Sequence, residues 1–155
     1  MKNVLFLATF FVAVSCKQND NKAINTDDSR NEVKLTIDNY YNDLRKEGLV
    51  AEFKYLDSSN QFFWVPPGFM NYAGYDVIAA AIRRNAGSLK KVDNRYDSLL
   101  IIPLTNEYAQ FVMRTISTSI RADGDTIKSA FIESGVVVKR KDGWKFLSGQ
   151  TTLLE

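Results

Sequence analysis

The chain predicts an α+β domain in which helices come first and a curved antiparallel sheet follows. Two observations carry this expectation. Between Ser29 and Ala86 the apolar residues recur mainly at helical spacing, whereas from Tyr96 onward they fall in long β-rich runs. Asp123-Gly124 and Asp142-Gly143 then join successive runs, and Asp-Gly between such segments is a strong hairpin signal. Helices gathered on one face of an antiparallel sheet are the arrangement this order produces.

The first segment precedes the domain. Met1-Lys2-Asn3 carries one positive side chain, Val4 to Val14 is apolar apart from Thr9, and Ala13-Val14-Ser15-Cys16 ends in small residues. These are the n-region, h-region and cleavage site of a secretory signal over residues 1–15. The apolar run of about 11 residues is too short to cross a ~30 Å hydrocarbon core. Cys16 is the only cysteine and stands where bacterial lipoproteins carry their lipidated cysteine. An ordinary signal peptidase would cut the same bond and leave an unpaired thiol in an oxidising compartment. Lipidation accounts for the lone cysteine, although Ala13 stands where lipoproteins usually have Leu. Gln18 is not the Asp that favours inner-membrane retention in enteric bacteria. A lipid-anchored protein of the bacterial cell envelope is therefore expected, on the outer rather than the inner membrane. Cys16 and the polar stretch Lys17 to Asp28 form the expected disordered tether, with a coil-like reach of about 20 Å.

Cleavage leaves 140 residues, enough for one domain with a real core. The formal charge of +2 falls to +1 with the loss of Lys2, which is no footprint for nucleic acid. Lys90-Lys91 and Lys139-Arg140-Lys141 read as solvated turns. The chain has no histidine, so it lacks the commonest metal ligand and general base. With Cys16 committed to lipid, no zinc, haem or Ser–His site can be assembled, and neither metal nor cofactor is expected.

The domain is expected over residues 29–155. Ser29-Arg30-Asn31-Glu32 reads as a capping box, followed by Val33, Ile37, Tyr40, Tyr41 and Leu44 on one helical face and Gly48 as the stop. A short helix from Val50 to Leu56 would bury Val50, Phe53 and Leu56. Gln61 to Val65 reads as a strand stopped by Pro66-Pro67-Gly68, and Tyr75 to Ala86 as a helix with Ile78 and Ile82 inward. Four strands follow: Tyr96–Leu104, Glu107–Ile120, Thr126–Lys139 and Trp144–Leu153.

With Asp123-Gly124 as the two central turn residues, Arg114 lies opposite Glu133, Ile116 opposite Phe131 and Gln110 opposite Val137. With Asp142-Gly143 central in the next turn, Gly135 opposes Gln150 and Glu133 opposes Thr152. One sheet face then combines aromatics with Gln110, Arg114, Glu133, Gln150 and Thr152. A three-residue loop in either hairpin would break this register.

The order of elements, the helix with Tyr40-Tyr41, the Gly-Tyr-Asp-Val-Ile stretch at 74–78 and the ending Gly143-Trp144-Lys145 to Thr152 resemble the nuclear transport factor 2-like superfamily, in particular its small SnoaL-like, polyketide-cyclase-related bacterial members. The resemblance spans Ser29 to Thr152. It implies a cone in which the curved sheet and first helix enclose a pocket, and often a homodimer, but no single activity. Ketosteroid isomerase, a relative of this fold, has an oxyanion-stabilising Tyr seven residues before the glycine ending the first helix; Tyr41 and Gly48 match. Its general base, an Asp just before a proline, corresponds to Val65. Ser148 and Gln150 stand where many SnoaL-like relatives have His.

Together these readings predict a lipid-anchored, non-catalytic pocket for a small, partly apolar ligand, lined by Tyr41, Phe63, Arg114, Phe131, Glu133 and Gln150. Arg114 would grip an anionic ligand or form a cross-strand pair with Glu133. Pro66 to Gly74, with Phe69, Met70 and Tyr72, reads as a lid or as a surface or dimer-contact loop. Asp76 is an acid at the pocket mouth or a helix-dipole complement. Two other readings stay open: a homodimeric or assembly-forming module whose pocket is filled by Tyr41, Trp64 and Phe131, and an enzyme using Glu133 as base, which a neighbouring Arg114 would disfavour.

Overall fold

The computed structural model describes residues 25–154. The signal segment, Cys16 and all but the end of the expected tether lie outside the described residues.

Helix α1 spans Thr26–Glu47, so the last residues assigned to the tether form its first turn. Asn25 is the N-cap, its side chain accepting from the Asp28 N–H at 3.5 Å, with Asp27 and Asp28 in the first turn and Arg45 and Lys46 in the last. The expected capping box is not used. Ser29 is buried inside the helix, and the Glu32 carboxylate instead accepts from Lys139 at 2.5 Å and from the Trp144 indole at 2.8 Å. Val33, Ile37, Tyr41 and Leu44 form the buried stripe. Gly48, at φ +74°, turns the chain into a 3₁₀ segment, Leu49–Lys54. There every third side chain eclipses, so Leu49 and Glu52 share the inward face while Val50 is 46% exposed, contrary to the Val50/Phe53/Leu56 face expected of an α-helix.

Strands β1 (Phe63–Val65) and β2 (Ala73–Gly74) precede helix α2, Tyr75–Ala86. Then come β3 (Leu89–Pro103), β4 (Tyr108–Arg121), β5 (Thr126–Arg140) and β6 (Gly143–Leu154). Strand β3 begins seven residues before the expected Tyr96, because its polar start, Lys90 to Arg95, pairs with the end of β4 and has only Val92 as an apolar signal. The sheet order is β2-β1-β6-β5-β4-β3, antiparallel except where β1 runs parallel to β6. The α+β expectation holds, with a mixed rather than wholly antiparallel sheet. The core lies between α1 and the concave sheet face, around Val33, Ile37, Leu44, Phe111, Met113 and Val137.

Both hairpins differ from the expected register. The β4–β5 loop has three residues, Ala122-Asp123-Gly124, with Gly124 at φ +99° and the Arg121 N–H donating to the Asp125 carbonyl at 2.8 Å. Arg114 therefore opposes Ile132, and Glu133 opposes Met113. In the next hairpin Arg140 pairs with Gly143 across Lys141-Asp142, and a bulge between Val137 and Val136 inserts Leu147. Glu133 thus faces Thr151, Gly135 faces Gly149, and Gln150 faces Ser134.

Arg140 is no solvated turn residue. It grips the buried Asp57 carboxylate through two hydrogen bonds of 3.1 and 2.8 Å, tying the end of β5 to the chain after the 3₁₀ segment. Lys139 also lies over the Trp144 ring, 5.8 Å from its centroid. Lys90 and Lys91 are exposed, but they lie in strand β3 rather than in a turn.

Candidate functional site

A cavity of about 320 Å³ opens between the helical layer and the concave sheet face. Its walls are mostly apolar. Tyr40 comes from α1, Leu49 from the 3₁₀ segment, Trp64 from β1, Ile78 and Ile82 from α2, and Phe131 and Phe146 from the long strands. Pro66 and Pro67 line one side, but Phe69, Met70 and Tyr72 beyond them are 53%, 96% and 72% exposed and do not cover it. Asp76 lies exposed in the first turn of α2, where it complements the helix dipole.

Two carboxyl groups enter this apolar space, Glu52 from the 3₁₀ segment and Glu133 from β5. The Glu133 carboxylate accepts from the Tyr41 hydroxyl at 3.1 Å and from the Thr151 hydroxyl at 3.3 Å. Tyr41 is almost wholly buried beneath the cavity, 2.8 Å from the Thr115 hydroxyl, which can donate to it and so extend the chain. The Trp64 indole N–H donates to Thr151 at 3.0 Å, which fixes that hydroxyl toward Glu133. Burial raises the Glu133 carboxyl to about 7, with the hydrogen bonds from Tyr41 and Thr151 partly offsetting it. Burial and the nearby Glu133 charge raise Glu52 to about 8. Burial and the Glu133 charge also push the Tyr41 phenol well above its usual range. Tyr41 therefore stays protonated and acts as a donor.

Trp64 holds its place in the wall because β6 carries a glycine beneath it. A Cβ at Gly149 would meet the indole ring at 2.6 Å, and one at Gly135, directly opposite, would meet the Ser148 carbonyl at 2.0 Å. Asn94 of β3 contributes a further polar feature: it lines the cavity, and its buried Oδ1 has no hydrogen-bond partner among the described residues. Among the described residues no group of three or more acidic or cysteine side chains is placed to hold a metal.

Of the six pocket residues expected from the sequence, the structure gathers three. Phe131 and Glu133 line the cavity and Tyr41 supports it from below. The other three belong to the opposite sheet face. Arg114 is exposed and ion-paired with Asp97, Gln150 is exposed opposite Ser134, and Phe63 is 42% exposed against the Tyr72 ring. The single-residue shift at Gly124 moved Arg114 away from Glu133, and the β6 bulge moved Thr151 rather than Thr152 or Gln150 to the concave side. Phe63 and Trp64 exchange roles because strand neighbours point to opposite faces. The pocket is also not plugged: Trp64 and Phe131 form walls, and open volume remains between them. Glu52, Asn94 and Thr151 escaped sequence reading, and Tyr40 was read only as part of the apolar helix face. The one available signal for Glu52 was an acid in the Leu49–Leu56 stretch, whose only other charged residue is Lys54.

No protein-family model matches the chain, and no curated protein does. Solved structures do. A nuclear transport factor 2-like superfamily protein from Salmonella enterica serovar Typhimurium superposes with a TM-score of 0.70 at 18% identity, covering 83% of this chain and 93% of that one. A Streptomyces avermitilis protein of the same family, designated a candidate dehydratase, gives 0.69 at 14% identity, covering 83% and 98%. A candidate scytalone dehydratase from Novosphingobium aromaticivorans gives 0.66 at 10% identity, covering 83% and 89%. At these identities the likeness is one of architecture, and it establishes that the domain has the nuclear transport factor 2-like fold.

Proposed function

We propose that the domain binds a small, partly apolar molecule in the cavity above Glu133. The observation that carries this reading is the open, aromatic-walled cavity into which the Glu52 and Glu133 carboxyls and Asn94 project. Its volume lies at the lower end of small-molecule sites, about 300–1,000 Å³. Thermal denaturation of the protein against a chemically diverse library tests it. A ligand at 100 times its Kd adds about 2.7 kcal/mol and raises Tm. No shift with any compound class would sink the reading.

A second reading, proton transfer, is favoured by one observation. Glu133 is poised near neutrality and is held by Tyr41, with no cation beside it now that Arg114 faces outward. The dehydratase designations of two structural relatives suit such a carboxyl. Hydroxy-ketones incubated with the protein in D2O should exchange α-protons, and Glu133→Gln should stop that exchange; equal exchange in the variant would exclude Glu133 as the base.

We further propose that Cys16 carries a lipid that anchors the domain to the bacterial cell envelope, at the outer membrane. Among the described residues no helix is long and apolar enough to cross a membrane. In cells fed an alkyne fatty acid, the full-length chain should take up label and fractionate with outer membranes, and Cys16→Ser should do neither. A homodimer is also proposed, joined through the outer sheet face, where Leu100, Ile102 and Ile116 are exposed.

A further inference from the structure

Resting on the binding reading above, we propose that the ligand is an organic cation: a protonated amine on a compact apolar or aromatic body. The charged groups of the cavity and its one buried unpartnered atom among the described residues point one way. The two carboxyls, Glu52 and Glu133, accept hydrogen bonds when ionised, and the buried Oδ1 of Asn94 is an acceptor with nothing donating to it. Among the described residues no Lys or Arg lines the cavity, so none of them gives either carboxylate a counter-charge there. The basic side chains that make ion pairs serve other acids: Arg114 holds Asp97, Arg140 holds Asp57 and Lys34 holds Asp38.

A ligand with a positive, donor-rich end completes this arrangement. An ammonium between the two carboxylates is attracted to both and relieves their mutual repulsion, and one of its N–H groups can serve Asn94 Oδ1. The remaining wall is aromatic, with Tyr40, Trp64, Phe131 and Phe146 around the space, and such faces attract a cation as well as an apolar body. A carboxylate ligand meets two like charges. A neutral isostere lacks the charge that would draw both acids into their ionised forms.

The binding should depend on pH in a definite sense. The titratable groups facing this site are Tyr40 and Tyr41 from α1, Glu52 from the 3₁₀ segment and Glu133 from β5; α2, β1, β3, β4 and β6 contribute none to its lining. The tyrosines stay neutral across the working range, so the two acids govern the response. A bound cation favours their ionised forms, so binding releases protons and tightens from pH 6 to pH 8, while the amine itself remains protonated.

The test uses the purified full-length chain and matched probe sets built on phenylethyl, indolylethyl and cyclohexylethyl bodies, each as amine, alcohol and carboxylate. Titration calorimetry in two buffers of different ionisation enthalpy gives affinity and protons released together. The expected result is that at least one amine binds tenfold or more tighter than its alcohol, with its carboxylate weakest and protons released on binding. Glu133→Gln and Glu52→Gln, each checked for folding by circular dichroism, should lose the preference for amine over alcohol while retaining alcohol binding. Alcohols or carboxylates binding as tightly as amines would overturn the cation while leaving the binding reading intact. Silence from every probe would overturn the cation here, and silence from the diverse library as well would overturn both.

Discussion

Glu133 decides most of the chemistry at the scale of single residues. Its carboxyl sits in an apolar cavity with two hydroxyl donors, Tyr41 and Thr151, and burial outweighs them. Replacing Tyr41 with Phe removes the donor and should drive the Glu133 carboxyl further above 7, a change that carboxyl-carbon NMR titration reads directly. The same substitution leaves Thr115 without its partner, costing about 1 kcal/mol of stability. Glu133→Gln keeps the shape and the acceptor oxygen but abolishes the titration. A carboxyl raised in the folded state stabilises fully below its unfolded value of 4.5, and that contribution is lost as pH rises through 7. The variant should therefore be more stable than the parent at pH 8, by roughly 3 kcal/mol, and nearly equal to it below pH 4.5.

At the scale of elements, the site depends on how the strands are joined and how closely they approach. Gly149→Ala puts a methyl group against the Trp64 ring, so the indole must leave the cavity wall or the strand must shift. The expected outcome is a loss of about 1–3 kcal/mol and an altered tryptophan spectrum in near-ultraviolet circular dichroism; an unchanged spectrum would show that the wall does not rest on that glycine. The β4–β5 loop makes a second test. Asp123→Asn favours a two-residue Asn-Gly turn with Ala122 drawn into the strand, which would pair Arg114 with Glu133 on one sheet face. Burial of the concave face opposes that slip, so the variant should keep the parental pairing at a lower melting temperature. Amide-to-amide NMR contacts across Met113 and Glu133 would report which register survives.

For the whole molecule, two sets of acids oppose each other with pH. Glu52 and Glu133 are raised and weaken the fold as pH climbs through about 7–8. Asp57 and Asp38 are lowered despite burial, because Arg140 with Ser59 and Lys34 with Tyr96 hydrogen-bond to their charged forms. Their stabilisation is present above the unfolded value of 3.8 and disappears as pH falls through their lowered values. Stability should therefore peak at about pH 4–5, well below the sequence pI of about 8.6, and denaturant titrations across pH 3–9 would locate the maximum. Assembly belongs to this scale too: Ile102→Lys on the outer face should abolish a dimer seen by sedimentation without altering the fold, and a monomeric parent would remove the proposal.

How much was legible follows from the range over which each signal acts. Helix α1, helix α2 and the succession of four long antiparallel strands could be read because periodicity, Gly48 and the Asp-Gly turns are local features, whereas the parallel place of β1 beside β6 could not. Tyr41, Phe131 and Glu133 lie at the cavity because their places follow from that pattern. Arg114, Gln150 and Phe63 were misplaced because face assignment reverses with each residue of register, and no local feature distinguishes a two-residue turn from three or marks the bulge at Leu147. Glu52 and Asn94 could not be singled out, since only folding brings a 3₁₀ segment and the start of β3 to the same cavity. The sequence by itself thus determined the fold class and the stock of chemical groups, including the absence of histidine. The tertiary structure alone decided which carboxyls share an apolar space and lose their counter-charges, because desolvation depends on what the rest of the chain places around them.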